Sequence, residues 1–110
     1  MLVTLEKDFE MFRGDSLIFG VELTKLTRDL DQAYFSVKKD RDDADYVFQL
    51  SLNNGITKVK QGIYRVRIAP ENTSGVPAGE YVYDLKVWVG NDVKTILWGD
   101  LDIHQDVTNN

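Results

Sequence analysis

The residue types that most often carry catalysis are sparse in this chain. Of its 110 residues one is a histidine and none is a cysteine. His104 lies where a strand pattern gives way to a polar tail of about 104–110, with no positioned partner that would make it a general base. One imidazole without a thiolate cannot assemble a nitrogen–sulfur zinc site within one chain. We therefore expect no catalytic residue, no cofactor and a protein that is not an enzyme.

A cluster of carboxylates is the one candidate for a metal. Calcium takes 6–8 oxygen ligands, and clustered aspartates supply them. The cluster lacks the glycine and the closing glutamate of an EF-hand loop, and Lys38, Lys39 and Arg41 dilute its negative field. We expect a solvated charged loop rather than a metal site. The candidate calcium residues are Asp40, Asp42, Asp43 and Asp45.

The tripeptide Arg13-Gly14-Asp15 has the sequence that integrins recognise. Recognition would need an extended, exposed loop, and three-residue motifs arise readily by chance. Gly14 also suits a tight turn, in which Asp15 can accept a backbone hydrogen bond. We expect a turn into the second strand.

The outward side of the last hairpin offers a surface for binding. If Tyr81 and Tyr83 point into the core, alternation turns the even-numbered residues of that strand outward. A register that pairs Val89 with Val93 sets Ile96 opposite Lys86 and Trp98 opposite Asp84. Exposed apolar patches usually mark partner surfaces. The predicted interface residues are Val82, Lys86, Trp88, Ile96 and Trp98, with Arg65 and Arg67 as outward cations on an earlier strand.

Two alternatives to this interface stay open. In one, the register of the hairpin is off by one residue. In the other, the N-terminal strand covers the patch with Phe9, Met11 or Phe12. The same aromatic residues would also serve a carbohydrate-binding module, in which rings stack on sugars and polar side chains reach the hydroxyls. The polar residues in reach would be Asp84, Lys86, Lys94 and Asp100.

The elements that position these residues follow a period of two, with almost no helical periodicity. Strands are predicted over about 2–12, 16–24, 32–39, 46–52, 62–69, 80–89 and 93–103, with a further ambiguous edge strand at 56–60. Pro70-Glu71-Asn72-Thr73 predicts one short helical turn near 70–74, since proline supplies the φ of a first helical position. Inward residues of the last strand are predicted to be Val93, Thr95, Leu97, Leu101 and Ile103. Seven strands at this spacing indicate a sandwich of a single domain over residues 1–110.

Composition limits the possible partners and location. The net charge is −5 and the pI is about 4.7, so a nucleic-acid partner has no electrostatic support. No apolar run approaches the roughly 20 residues that span a bilayer, so we expect no membrane insertion. The N-terminus lacks a basic segment followed by an apolar one, so we expect synthesis in the cytoplasm without a signal peptide.

Seven blocks of the sequence form an ordered pattern: 13–19, 29–39, 46–49, 62–73, 77–85, 93–103 and 106–108. Together they resemble the small immunoglobulin-like β-sandwich domains of tailed-phage virion proteins, of the baseplate upper protein and head-fibre type. The corner Pro70 to Thr73 with Tyr81 also resembles the E–F corner of immunoglobulin domains, although both core cysteines and the strand-C tryptophan are missing.

The resemblance implies an all-β, immunoglobulin-like antiparallel β-sandwich of about seven strands. It further implies a structural or assembly protein of a phage or prophage virion, made in the cytoplasm of the bacterial host. Such a protein would act through contacts with other virion proteins and through self-association. The alternative is a carbohydrate-binding or host-adhesion module, in which case the partner is a glycan.

Overall fold

The computed structural model describes residues 4–24 and 26–108. Strand is the dominant structure, with one helical turn, as the sequence predicts. Leu2, Val3 and the last two residues of the predicted tail lie outside the described residues. The elements in chain order are β1 Leu5–Glu6, β2 Phe9–Phe12, β3 Leu17–Glu22, β4 Gln32–Lys38, β5 Phe48–Leu52, β6 Gly55–Lys60, β7 Ile63–Ile68, α1 Pro70–Thr73, β8 Gly79–Val89 and β9 Asp92–His104.

The strands form two layers. The first layer has the order β9-β8-β4-β5, with β1 and β2 both along the outer side of β9, and the second has the order β6-β7-β3. A short parallel ladder between β5 and β6, with the pairs Ser51–Gly55 and Leu52–Ile56, links the layers. Most pairings are antiparallel, but β1 and β2 run parallel to β9. The alternation of residue types within a strand cannot predict this parallel pairing, because β1 and β2 begin the chain and β9 ends it.

The core lies between the layers and consists of the inward-facing residues of each strand. In β4 and β8 every second residue is buried, from Ala33 to Val37 and from Tyr81 to Val87. In β7 the buried residues are Tyr64, Val66 and Ile68. These faces agree with the predicted alternation. Phe9 of the first layer stacks on Phe19 of the second, with ring centroids 4.6 Å apart.

The corner between β7 and β8 joins the two layers. The Asn72 side chain accepts a hydrogen bond from the Ala69 amide at 2.7 Å, which fixes the start of α1. Thr73 is fully buried, and its hydroxyl accepts a hydrogen bond from the Gly14 amide at 2.9 Å. The Tyr81 hydroxyl donates to the Pro77 carbonyl just upstream. A tyrosine bonded back to the chain at this corner is a hallmark of immunoglobulin sandwiches.

The first half of β9 differs from the prediction. The turn at Gly90-Asn91 pairs Val89 with Asp92, one residue away from the predicted register. Val93 is therefore 52% exposed rather than inward, and Thr95 lies opposite Lys86. The predicted inward positions of Val93 and Thr95 are wrong, because the turn is shorter than expected by one residue.

A β-bulge then restores the predicted register. Leu85 pairs with Leu97 while Lys86 pairs with Thr95, so Ile96 is the extra residue on β9. A bulge shifts the alternation of its strand by one position. Ile96 is buried, with 4% of its surface exposed, so its predicted outward position is wrong. Beyond the bulge, Asp84 faces Trp98 as predicted.

Candidate functional site

The candidate site is the outer face of the first layer, which we call the outer face. Its middle row crosses four strands in direct register: Trp98 on β9, Asp84 on β8, Ser36 on β4 and Gln49 on β5. The Gln49 amide nitrogen donates to the Ser36 hydroxyl at 2.9 Å. The row combines an aromatic ring, a carboxylate, a hydroxyl and an amide across neighbouring strands.

A second row lies beside the first, toward the Gly90 turn. Thr95, Lys86 and Tyr34 are partners across β9, β8 and β4. Trp88 follows on β8, and its ring meets Tyr34 edge-on, with centroids 5.5 Å apart and planes at 87°. This T-shaped arrangement is one of the geometries that aromatic pairs prefer. It fixes the orientation of Trp88, which stays partly exposed.

The loop between β4 and β5 extends over the outer face. The Arg41 guanidinium lies above the Trp98 ring, 4.9 Å from its centroid. The Lys38 ammonium lies 5.2 Å from the centroid of Tyr46 and donates to the Asp43 carbonyl at 2.7 Å. Cations over aromatic faces are attracted by the ring quadrupole. The loop therefore supplies positive charge above an aromatic surface.

Two open hollows meet on this face and share Arg41, Asp84 and Lys86. One extends toward Trp88 and β5, the other toward Trp98 and the start of β9. Both are shallow and open to solvent, so they suit a partner surface or an extended ligand better than an enclosed small molecule. The additional lining residues include Tyr34, Ser36, Gln49, Lys94 and Thr95.

Asp84 is the electrostatic centre of the outer face. Its carboxylate is half-buried, and this burial raises the pKa of Asp84 above its ordinary value of 3.8. The neighbouring Lys86, Arg41 and Lys38 charges oppose the rise in pKa because they favour the ionised carboxylate. The three cations thus surround a single carboxylate that is partly shielded from water.

Among the described residues, β1 and β2 do not cover the outer face. Met11 is buried in the core and Phe9 packs on Phe19, so both lie on the inner side of the layer. Phe12 is 52% exposed, and its ring contacts His104 at 5.2 Å. The alternative in which Phe9, Met11 or Phe12 covers the tryptophans is therefore wrong.

The other predicted interface residues divide between two surfaces. Val82, Lys86, Trp88 and Trp98 lie on the outer face. Ile96 is in the core. Arg65 and Arg67 are exposed on β7, opposite Gly20 and Ile18 of β3, on the outer side of the second layer. The outer face also contains residues that the sequence did not predict, because nothing in local alternation indicates that β4 lies beside β8: Tyr34, Ser36, Gln49 and Arg41.

The candidate calcium residues form a hydrogen-bonded loop. The Asp43 amide donates to the Asp40 carbonyl at 3.1 Å, and the Asp40 amide donates to the Asp43 carboxylate at 3.2 Å. Within residues 4–24 and 26–108, no group of three or more histidine, aspartate or glutamate side chains is arranged to hold a metal ion. The Asp43 carboxylate instead accepts a hydrogen bond from the loop backbone.

Arg13-Gly14-Asp15 forms the predicted turn. Gly14 has φ 83°, and the Asp15 amide donates to the Phe12 carbonyl at 3.1 Å. The Arg13 side chain pairs with Asp106 at 3.0 Å and is mostly buried. The tripeptide is therefore folded back against the C-terminal segment rather than extended.

His104 is the last residue of β9 and is exposed to solvent. Its ring nitrogen lies 3.6 Å from the Glu10 carboxylate on β2, and both side chains are exposed. The two residues are neighbours at the end of a ladder and do not line either hollow of the outer face.

Comparison with known proteins identifies a shared fold. A scan of protein-family models finds no match, and a search of curated proteins finds none. The extracellular domain of mouse leukocyte-associated immunoglobulin-like receptor 1, solved as a strand-swapped dimer, aligns with a TM-score of 0.50 and 11% identity over 94% of this chain and 85% of that one. The chain has an immunoglobulin-like fold. The order β9-β8-β4-β5 against β6-β7-β3 is that of the two immunoglobulin sheets.

Two further solved structures are similar at lower scores. The extracellular domain of the voltage-gated sodium channel beta4 subunit aligns with a TM-score of 0.49 and 9% identity, over 97% of this chain and 98% of that one. A fragment of novel immune-type receptor 11 from Ictalurus punctatus aligns with a TM-score of 0.41 and 14% identity, over 100% of this chain and 90% of that one.

None of the helical structure in the described residues has the length and apolar character needed to cross a membrane.

Proposed function

We propose that this chain is a non-enzymatic contact module that binds a protein partner through the outer face, as a structural or assembly protein of a phage or prophage virion. The observation that carries the proposal is that both tryptophans of the chain, Trp88 and Trp98, lie half-buried on this one face. Partly exposed tryptophans are enriched where proteins meet, because they bury a large area at low entropic cost.

The charge of the face supports a protein partner. The chain carries a net charge of −5, yet Arg41, Lys86 and Lys94 gather around the two hollows with Asp84 as their central carboxylate. Complementary potentials steer partners into register. We infer a partner surface with acidic side chains that reach Lys86 and Lys94 and with an apolar group that packs on Trp88.

The virion assignment is supported by the ordered sequence blocks that resemble phage β-sandwich domains. In this proposal the chain is made in the cytoplasm of a bacterial host and ends in the particle, and its partners are virion proteins and further copies of itself. A receptor domain of the same fold is a strand-swapped dimer, which is in keeping with a contact role. A shared fold does not by itself imply a function, so the virion role has to be tested on the phage particle.

The test is retention of the chain in purified particles of the phage or prophage that encodes it. We expect mass spectrometry to detect the chain in these particles. The double variant Trp88→Ala, Trp98→Ala should reduce its retention at least about tenfold, since hot-spot tryptophans typically contribute 2 kcal/mol or more. Val59→Ala, which trims an exposed apolar side chain of β6, should be retained like the wild type. Particles that lack the wild-type chain would contradict the virion role.

A glycan is the alternative partner of the same face. It is favoured by the polar row of Asp84, Ser36 and Gln49 beside Trp98, since sugar recognition pairs ring stacking with groups that reach hydroxyls. A glycan array separates the two functions. Binding to a glycan that Trp98→Ala abolishes would assign the face to carbohydrate, whereas no binding to any glycan leaves the protein partner.

A further inference from the structure

β3 is the outer strand of the second layer, and one of its edges is open. It pairs with β7 over six consecutive positions, from Leu17–Ile68 to Glu22–Ile63, without a bulge. Within residues 4–24 and 26–108, no strand pairs with its other edge. An open edge presents unpaired backbone groups and is a ready template for another strand.

The ladder fixes which backbone groups point outward. The Leu23 amide donates to the Gly62 carbonyl at 2.7 Å, which continues the β3–β7 register by one pair. Antiparallel pairs alternate between hydrogen-bonded and non-hydrogen-bonded positions. The odd-numbered residues of β3 therefore bond to β7, whereas Ile18, Gly20 and Glu22 direct their N–H and C=O groups away from it.

The side chains of β3 are also incompletely covered. Phe19 remains only partly buried, although its partner Val66 on β7 is 0% exposed. Ile18, on the outer side, is 55% exposed. A neighbouring strand at this edge would bury more of both residues, which is a favourable change for apolar surface.

Devices that usually protect an edge are absent from β3. Soluble proteins block open edges with proline, lysine, bulges or interruptions. The edge formed by β1 and β2 is interrupted after Glu6, resumes at Phe9, and carries Glu10. The sequence of β3, Leu-Ile-Phe-Gly-Val-Glu, contains no proline or lysine and its ladder has no bulge; its one charged residue is Glu22, at its end.

We propose that β3 pairs antiparallel with β3 of a second copy of this chain, around a two-fold axis at Gly20. In this register Gly20 faces Gly20 of the partner subunit, and Ile18 faces Glu22 of the partner subunit. All the outward backbone groups then pair, which gives about six hydrogen bonds and joins the two second layers into one continuous sheet. A Cβ at position 20 would have only the Tyr64 carbonyl within 4 Å, at 3.9 Å, so the axis is uncrowded.

Charge complementarity selects this occupant and this register. Arg67 is the β7 partner of Ile18, so Glu22 of the partner subunit lies two strands from it on the same side. The Cα separation is about 10 Å, the sum of one hydrogen-bonded and one non-hydrogen-bonded spacing, which an arginine and a glutamate can bridge. Among the described residues, neither Glu22 nor Arg67 forms an ion pair within its own chain.

Charge reversal tests the pairing. Sedimentation velocity and light scattering should give a mass that rises with concentration from 12.6 kDa toward twice that value. Glu22→Arg and Arg67→Glu should each raise the dissociation constant at least about tenfold, because like charges would then meet twice per dimer. The double variant should restore the dimer. Glu71→Arg, an exposed charge reversal on α1, is the matched control.

The rescue cannot arise within one chain. Glu22 and Arg67 lie at positions four residues apart along the ladder, about 13 Å, so a restored dimer reports contact between copies. Amide exchange by NMR adds a local readout, in which Ile18, Gly20 and Glu22 gain protection as concentration rises while Leu17 and Val21 are protected throughout. The proposal is overturned if the chain is a monomer at every concentration, or if neither charge reversal changes the dissociation constant of the dimer. A monomer at every concentration would also remove self-association from the proposed function. Either outcome leaves the binding of another protein by the outer face untouched, because the tryptophan variants test a different layer.

Discussion

Asp84 on β8 faces Trp98 on β9 in direct register, and the bulge at Ile96 creates this relationship. Without the extra residue, the register set by the Gly90 turn would place Trp98 opposite Tyr83, facing the core, and Leu97 opposite Asp84, facing outward. One bulged residue thus keeps both tryptophans on the same face. Bulges often re-aim side chains beside functional sites.

The buried position of Ile96 can be tested by truncation. Ile96→Ala should lower the free energy of unfolding by about 2–5 kcal/mol, because it removes buried methyl groups and leaves a cavity. Val93→Ala, three residues away and 52% exposed, should change it by less than about 0.5 kcal/mol. Urea denaturation measures both. Equal small effects would mean that Ile96 is on the surface.

Gly99 is fixed by the close approach of the N-terminal strand. A Cβ at this position would collide with the Lys7 carbonyl group. The same region is held by the Asp100 amide, which donates to the Asp8 carboxylate at 3.0 Å, and by the Tyr83 hydroxyl, which donates to the Lys7 carbonyl.

We therefore expect Gly99→Ala to destabilise the fold by about 1–3 kcal/mol, as overpacking does, and to displace β1 and β2. Gly75→Ala, where an added Cβ meets nothing within 4 Å, is the matched control and should be close to neutral. Thermal unfolding gives the stability, and amide exchange along β2 reports the displacement. Unchanged exchange in Gly99→Ala would contradict the close approach.

The half-buried Asp84 makes a prediction about pH. Burial raises the pKa of Asp84, so the folded chain holds this proton more tightly than the unfolded chain does. The contribution of Asp84 is then favourable at low pH and is lost as pH rises from the ordinary value of 3.8 through the raised pKa. At neutral pH the ionised carboxylate is a net cost to folding.

Asp84→Asn should accordingly be more stable than the wild type at neutral pH, and the difference should shrink toward low pH. Urea midpoints across the acid range measure it, with the exposed Asp92→Asn as control. A variant that loses stability at neutral pH would mean that Lys86, Arg41 and Lys38 outweigh the burial.

The contact between Arg41 and Trp98 should be visible in fluorescence. In a Trp88→Phe background, Arg41→Ala should increase acrylamide quenching of Trp98, since the guanidinium shields one face of the ring. The stability should change by no more than about 1 kcal/mol, the range of an exposed cation–π pair. Arg65→Ala on the other layer is the control. Identical quenching in all variants would remove Arg41 from the outer face.

Alternation of residues predicted most of this fold. The inward faces of β7 and β8 and the helical turn at Pro70 follow from local patterns. The predicted partnership of Asp84 with Trp98 is confirmed, but only because the bulge offsets the shorter turn. The bulge could not be predicted from residue types. Its one local signal is the adjacent apolar pair Ile96-Leu97, which interrupts the alternation.

The rest of the site depends on which strands are neighbours. β4 brings Tyr34 and Ser36 beside β8, and the following loop brings Arg41 across to Trp98. These contacts join segments far apart in sequence, and their geometry follows from sheet order and twist rather than from any motif. A sequence can therefore predict that Trp88 points outward without predicting what surrounds it.

The most direct test of the contact function is lysine cross-linking followed by mass spectrometry on intact particles. Lys38 and Lys86 line the outer face, while Lys58 and Lys60 lie on β6 of the second layer, so the chain carries its own reference positions. We predict cross-links from Lys38 and Lys86 to a different virion protein, and their loss in the Trp88→Ala, Trp98→Ala variant. Cross-links to that protein from Lys58 and Lys60 alone would contradict the outer face as the contact surface.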